Sequence, residues 1–340
     1  MPKHLMMAGG LKLSVVIAAY NASATIAAAL RAVCAQAASD CEIIVVDDCS
    51  GDATAAIAGG FPVRLLRLSS RSGAAAARNA GACAAGAPVL LFLDADVVAG
   101  EGLLARGLEA MEKSGADAVI GSYDAQPADR SVVSMFKNLA HHYFHQRARG
   151  EAVTFWGACG FIRRDRFVAS GGFDQRRYTL PSIEDIELGA RLVRAGARII
   201  VDPALQVTHL KRWSILSLLW TDVARRAIPW TLLAMETGGL PTELNLSREQ
   251  RVAALTAAGL AAAGGAALWR GRWWPVAGVL VAAAVILNRG LYRLFYDKGG
   301  ARLALCGFIL QQFYYLYSLA GLTAGVAIHY ARRIARAAGD

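Results

Sequence analysis

The chain has 340 residues, 55% of them hydrophobic and 18% charged, which excludes a disordered or coiled-coil protein. A mean hydropathy of +0.37 is too apolar for an ordinary soluble enzyme, and a net charge of +10 calls for an anionic partner: nucleic acid, phospholipid or a phosphorylated substrate. Residues 1–240 hold 25 Lys and Arg against 22 Asp and Glu, and residues 241–340 hold 11 against 4, so the hydrophobic last third carries +7 of the charge. That distribution describes a cationic membrane-anchored tail and speaks against nucleic-acid binding. The six cysteines (Cys34, Cys41, Cys49, Cys83, Cys159, Cys306) form no CxxC pair and no zinc spacing. They read as small buried hydrophobes of a reduced compartment. The start, MPKHLMMAGGLKL, has no apolar run long enough for a signal-peptide core, so a cytoplasmic catalytic part is expected.

Leu13–Ala19 (LSVVIAA) is a continuous β-branched apolar run, as of a strand buried on both faces. Ala22–Ala37 follows as a helix that Asn21 or Ser23 could cap. Glu42–Val46 is a second strand, Asp52–Ala58 a short helix, Val63–Leu68 a third strand, Ala74–Ala85 a helix and Val89–Leu93 a fourth strand. Strands alternating with helices predict an α/β fold with a mostly parallel sheet and helices on both faces. In such sheets ligands bind beyond the carboxyl ends of the strands. Polar groups collect there: Ala18-Ala19-Tyr20-Asn21, then Asp47-Asp48-Cys49-Ser50-Gly51-Asp52, then Asp94-Ala95-Asp96, with Arg78 on a helix start nearby. Carboxylates gathered in one crevice repel one another unless a cation joins them, so a divalent metal is expected.

Further along, Ala118–Gly121 is a possible fifth strand, Arg130–Arg149 a helix with His141, His142 and His145, and Ser182–Ala195 a helix opened by Ser182 with Glu184 and Asp185 in its first turn. Arg198–Val201 is a last short strand. Trp213–Met235 mixes Trp, Leu and Ile with Arg225 and Arg226, the composition of a helix lying in a membrane interface. Three apolar stretches follow, at 252–268, 273–287 and 303–328. Spanning takes about 20 residues, so the third suffices and the first two are marginal. Three crossings would put Arg332, Arg333 and Arg336 outside, against the positive-inside tendency, and two or four would keep them in; the topology stays open. The expected organisation is an N-terminal extension (1–11), a catalytic domain (12–212), an interfacial region (213–240) and a membrane region (241–340).

The ordered set Ala-Ala-Tyr20-Asn21, Val46-Asp47-Asp48-x-Ser50-x-Asp52, Ala77-Arg78-Asn79-x-Gly81, Asp94-Ala-Asp96, Gly171-Gly172-Phe173-Asp174 and Glu184-Asp185 resembles the family-2 glycosyltransferases over roughly Lys12 to Trp213. Each element alone is weak; six in order on matching secondary structure are specific. The resemblance implies a GT-A fold and an inverting, Mg²⁺- or Mn²⁺-dependent transfer from a nucleotide-sugar donor. By the same resemblance, the backbone around Ala18 to Tyr20 and the Asp48 carboxylate would hold the base, and Arg78 would lie against the base or diphosphate. Asp94 would approach the ribose or sugar, Asp96 would ligate the metal, and Asp185 would be the general base. Cys49 stands where the family often has Gly. His209-Leu-Lys-Arg212-Trp213 is similar to the QxxRW signature of processive synthases with His for Gln. Processive members also carry transmembrane helices before the catalytic domain. Arg212 and Trp213, with Trp156 and Glu184, are therefore read as acceptor or diphosphate contacts, and His209 as a further metal ligand.

Plainer readings stand beside these. Asp47-Asp48 could cap a helix, Asp94-Ala-Asp96 could be a solvated loop, and Glu184-Asp185 could only complement a helix dipole. The three histidines read as solvated or core-packed, and Gly171-Gly172-Phe173-Asp174 as structural. Arg163, Arg164, Arg166, Arg176 and Arg177 are either a solvated face or an attraction for anionic lipid. The expected partners are a nucleotide-sugar donor, a lipid or lipid-linked acceptor and membrane lipids, with no nucleic acid. The alternatives are a processive polysaccharide synthase or an inactive nucleotide-binding membrane scaffold. A dinucleotide-dependent oxidoreductase lacks its GxGxxG after the first strand.

Overall fold

Buried apolar runs form the centre of one nine-stranded sheet in the computed structural model of the chain, which describes residues 10–148, 150–238 and 247–337. The strands are β1 (Leu13–Ala19), β2 (Cys41–Asp47), β3 (Arg64–Arg67), β4 (Val89–Asp94), β5 (Val97–Ala99), β6 (Ala118–Tyr123), β7 (Gly150–Ala152), β8 (Cys159–Arg163) and β9 (Ile199–His209). Their order is β3-β2-β1-β4-β8-β6-β9-β5, with β7 also on β9. β1 to β4 pair in parallel. β4–β8, β6–β8, β5–β9 and β7–β9 are antiparallel, so the sheet is mixed and the mostly parallel expectation holds for its first half alone. The helices alternating with these strands are α1 (Ile26–Cys34), α2 (Thr54–Ala58), α3 (Ala74–Ala84), α4 (Leu103–Ser114), α5 (Val132–Arg147), α6 (Arg164–Ala169) and α7 (Glu184–Arg194). After the sheet come α8 (Ile215–Asp222), α9 (Ile228–Thr237), α10 (Arg248–Trp269), α11 (Trp274–Leu287) and α12 (Arg289–Ala337), the last broken by non-helical backbone at Gly299 and Gly300.

Local chemistry explains several departures from the predicted elements. Neither Asn21 nor Ser23 caps α1, which starts at Ile26 without a side-chain cap. The β2–α2 loop claims that segment instead: Ser50 Oγ accepts from the Asn21 amide (2.9 Å), Thr54 Oγ1 from Ala22 (2.7 Å) and Asp52 from Ser23 (3.0 Å). The Asn21 carboxamide accepts in return from the Gly51 amide (2.9 Å). Hydrogen bonds from Thr54, then Ser23, hold the Asp52 carboxyl well below the usual carboxylate range. Ser182 does not open α7 either; that helix begins at Glu184 with no side-chain cap. The last strand reaches His209 rather than ending near Val201, and β5, too short and close to the β4 turn to show in a periodicity, pairs with it.

Cys49 has φ 60, in the left-handed region. That backbone costs an L residue about 1–2 kcal/mol, and glycine is free of the cost but loses more entropy on folding. Cys49→Gly is accordingly expected to raise stability by about 0.5–1 kcal/mol, read as a higher urea midpoint with unchanged slope. Of the cysteines, Cys159 is buried, its thiol pushed up to about 12 by desolvation, whereas Cys49 and Cys83 are exposed, which corrects their reading as buried hydrophobes.

The chain divides into two compact units, Met1–Ser122 with Arg149–Leu210, and Tyr123–Ala148 with Lys211–Asp340. The sheet unit carries 18 Lys and Arg against 18 Asp and Glu; the second carries 18 against 8, so the whole +10 belongs to the second unit. In the sheet unit Phe92 meets Phe155, Phe167 and Phe173 at ring centroid distances of 6.2, 5.1 and 5.2 Å, closing the core beneath the strand ends.

In the second unit α5, which lies within the predicted catalytic stretch, places Met135, Phe136 and Leu139 in one apolar cluster with Leu291, Tyr292, Phe295 and Leu303 of α12. The predicted single interfacial helix is α8 and α9 joined by a π-helical turn at Val223–Ala227. Among the described residues two helices are long and apolar enough to cross a membrane, Arg248–Trp269 and Arg289–Arg336, with a shorter apolar one at Gly271–Leu287. The first apolar stretch is thus longer than the sequence reading allowed, because its helix extends to Arg248 over a Ser247 cap. Most of the N-terminal extension (residues 1–9) and the junction at 239–246 between the interfacial and membrane regions lie outside the described residues.

Candidate active site

Parallel pairing brings the carboxyl ends of β1, β2 and β4 to one edge, with Ala18 in register with Asp94 and Ala19 with Asp47. The Asp48 amide donates to the Ala19 carbonyl at 2.8 Å, continuing the ladder past the strand end. Asp48 itself is only 3% exposed. Its carboxylate accepts from the Ser72 amide (2.6 Å) and the Gly73 amide (2.8 Å), so it fastens the loop before α3. Gly73 has φ +90, and a Cβ there would lie 2.3 Å from the Thr179 carbonyl oxygen. Gly73→Ala is expected to cost about 1–3 kcal/mol from backbone strain and this overlap, measurable as a lowered urea midpoint.

Arg78 is also not presented as a free cation. Its guanidinium is buried, with Nη1 donating to Glu184 (2.9 Å) and Nη2 to Asp94 (2.7 Å), and it lies 5.4 Å from the Phe173 ring centroid. Burial by itself would lower its pKa, but Asp94 and Glu184 outweigh that and hold it above the ordinary value. Arg78 therefore ties the end of β4 to the start of α7. Glu184 accepts from the Ser182 amide as well (2.7 Å), which makes it a member of this clamp.

The next residue, Asp185, accepts from the Gly157 amide at 3.1 Å and from Ile186 at 2.8 Å, which sets the direction of a half-buried carboxylate. Trp156, also half-buried, precedes that glycine. At the end of β4, Asp96 Oδ2 is 3.6 Å from His209 Nε2, because β5 and β9 pair with Val97 opposite His209 and the Leu210 amide donates to the Asp96 carbonyl (2.8 Å). The sequence-derived metal pair thus meets in space. No third His, Cys, Asp or Glu completes a metal-binding group with it among the described residues.

Arg212 and Trp213 belong to the second unit. Arg212 is 3.6 Å from Asp129. Trp213 is 6% exposed and packs with Leu218 and Tyr317, so its ring serves that unit's core. Of the α5 histidines, His141 stacks on His145 at 3.9 Å, and His142 Nδ1 is 2.7 Å from the Tyr123 carbonyl.

Three contributors escaped the sequence reading. Arg71 lies 4.2 Å over the exposed Tyr20 ring, and nothing in its neighbourhood in sequence marks it. Gly157 supplies an amide, which side-chain patterns cannot reveal. Asn79 accepts from the Phe173 amide (2.9 Å) and donates to its carbonyl (2.8 Å); its place beside Arg78 in a motif was the available signal.

The mixed α/β sheet thus gathers acidic strand ends, a buried arginine clamp and an Asp–His pair, an arrangement compatible with the GT-A fold. Residues 14–169 match the model of glycosyl transferase family 2. Over those residues the chain is similar to that family. Succinoglycan biosynthesis protein ExoO of Rhizobium meliloti (strain 1021) is 36% identical over 222 residues, covering 61% of this chain and 63% of that protein, so the match spans about three fifths of this relative's length. Among solved structures, mannosyltransferase PcManGT of Pyrobaculum calidifontis aligns with a TM-score of 0.60 at 18% identity, over 94% of this chain and 88% of that one. TarS 1–349 of S. aureus aligns at 0.51 and 18% identity, over 91% of each. These likenesses show the fold.

Proposed function

We propose that this glycosyltransferase moves a sugar, with inversion, from a nucleotide diphosphate donor to a lipid or lipid-linked acceptor at the cytoplasmic face of a membrane. The observation that carries the reading is the meeting of Asp96 and His209 at 3.6 Å on the strand edge where the family motifs converge. Two protein ligands are too few for a resident metal and suit an ion completed by substrate phosphates, as is usual for Mg²⁺. The imidazole gives Mn²⁺ an advantage over Mg²⁺, which prefers oxygen. The solved mannosyltransferase is in complex with GDP-Man and Mn²⁺, which supports the donor and metal classes. A bound metal supplies charge neutralisation for the departing nucleoside diphosphate.

The chain's own residues do the rest. Ala18 and Tyr20 line the base side, and Arg71 over Tyr20 adds guanidinium donors there. Asp94, fixed by Arg78, faces the ribose or sugar. Asp185, aimed by the Gly157 amide, takes the proton of the acceptor hydroxyl, with Trp156 beside it on the acceptor side. The interfacial region (213–240) and membrane region (241–340) keep the enzyme where lipid acceptors are concentrated, which raises their effective concentration.

The test is nucleoside diphosphate release from UDP-, GDP- and dTDP-sugars by the full chain in lipid vesicles, with Mn²⁺ or Mg²⁺ and a total lipid extract as acceptor. Lipid-dependent release from one donor, abolished by Asp96→Ala and by chelation, is expected. Equal release without lipid would point to a soluble acceptor. No release together with no metal-dependent nucleotide binding would overturn the enzyme reading.

A further inference from the structure

Asn79 of α3 and Arg191 of α7 hold one turn of the chain between them. Asn79 bonds both the amide and the carbonyl of Phe173, at 2.9 and 2.8 Å. Arg191 donates from Nη2 to the Gly172 carbonyl (2.6 Å) and from Nη1 to that of Ser170. Gly171 and Gly172 turn in the left-handed region, with φ 81 and 68. A Cβ on Gly172 would lie 2.6 Å from Asn79 Oδ1. Fastened in this way, the Gly171-Gly172-Phe173-Asp174 motif walls a cavity of about 430 Å³ that Asn79, Gln175, Arg176, Glu187 and Arg191 also line. That volume falls within the range of about 300–1,000 Å³ of small-molecule sites.

The lining selects the class of ligand. Glu187 is 7% exposed and accepts twice from Arg191 (2.6 and 2.8 Å), so the pair presents no net charge. Asp174 and Arg176, the other charged lining residues, also sum to zero. An anion meets the buried Glu187 carboxylate and a cation meets the Arg191 guanidinium, so neither is favoured. An apolar ligand gains little, because Phe173 is 1% exposed and packs inward on Phe92. Donors and acceptors in close order remain. Gln175 gives its carbonyl oxygen to Asn79 (3.1 Å) and keeps its NH₂ for another acceptor, and the Arg176 guanidinium is exposed. The Glu187 oxygens have lone pairs beyond the two that Arg191 uses. A carboxylate, an amide and a guanidinium side by side match vicinal hydroxyls, each of which both donates and accepts. Glu184, Glu187 and Arg191 share one face of α7, whereas Asp185 turns to Gly157. The cavity and the Asp185 carboxylate therefore lie on different sides of that helix.

We propose that this cavity is a binding site for a neutral sugar residue, separate from the place of transfer. Gln175 and Arg176 donate to the ring hydroxyls, and Glu187 accepts from them. The site gives the chain a hold on a saccharide other than the one being moved. Its assignment does not rest on the transfer reading, since binding alone defines it.

The experiment is a saturation-transfer NMR titration of the full chain, in a detergent without sugar groups, with the methyl glycosides of glucose, galactose and mannose. Saturable binding of at least one is expected. Gln175→Ala with Arg176→Ala, both at exposed positions, should weaken it about tenfold or more, as loss of ligand hydrogen bonds does. Asp96→Ala should leave it intact, and an unchanged thermal midpoint in both proteins excludes misfolding. No binding of any of the three glycosides, or binding that the double variant leaves unchanged, would overturn the site. Weakening by Asp96→Ala as large as that by the double variant would place the sugar in the transfer crevice and overturn it as well. Displacement by inorganic phosphate at equal concentration would make the ligand an anion and overturn the sugar. Nucleoside diphosphate release by the same preparations reports the transfer reading separately, so its failure is seen apart from failure of this site.

Discussion

Asp185→Asn is expected to lower turnover by about 10²–10⁴-fold, the range associated with one positioned general base, while nucleotide affinity stays within a factor of a few. Asn has nearly the shape of Asp, and its carboxamide oxygen still accepts the Gly157 amide that now bonds the carboxylate at 3.1 Å. The substitution thus removes the ability to take a proton and, besides that, the acceptor of the Ile186 amide, which bonds the other carboxylate oxygen at 2.8 Å. The comparison is of nucleoside diphosphate release at saturating donor and acceptor with equilibrium nucleotide binding to the same preparations. A loss below tenfold would remove Asp185 from the chemistry. A loss of nucleotide affinity as large as the loss of rate would make it a donor-site residue.

Arg78→Met is expected to cost about 3–5 kcal/mol, the usual consequence of breaking a buried ion pair by removing one partner. The larger share should come from Glu184, which is 5% exposed and would keep its charge with no arginine opposite. Asp94 is 32% exposed at its side chain and can turn to water. Arg78→Lys should recover part of the stability, since an ammonium cannot hold both carboxylates with the two separate nitrogens that the guanidinium offers. The double variant Arg78→Met with Glu184→Gln should be more stable than Arg78→Met alone, because the uncompensated charge is gone. Urea unfolding of the wild type and these three variants, followed by a probe in the sheet unit, measures these differences. If the double variant is no more stable than Arg78→Met, burial of Glu184 is not the source of the cost.

The two expectations separate roles that the motifs alone merge. Arg78, Glu184 and Asp48 sit in the family motifs beside Asp94 and Asp185, and the resemblance gave the first and third of them donor contacts. In the structure Asp48 is occupied by the Ser72 and Gly73 amides and Arg78 by two carboxylates. Their contacts hold the loop before α3, the end of β4 and the start of α7 in place.

The amino-acid sequence by itself determined the parallel strands and the acidic edge. A strand buried on both faces must be apolar throughout, so Leu13–Ala19, the β2 run and the β4 run each declare themselves locally, and the polar residues that end them declare the ligand edge. It also determined the apolar helices near the C-terminal end, since a helix able to span lipid must be apolar over most of its length. Tertiary structure decided the partners. Arg78 meets Glu184 across 106 residues of chain, and His209 meets Asp96 through an antiparallel pairing with β5, a three-residue strand too short for any periodicity to show. It also decided that α5 packs on α12 within the second unit. Pairing between distant segments depends on which surfaces fit after the chain has folded back, and no local pattern of residues records that fit.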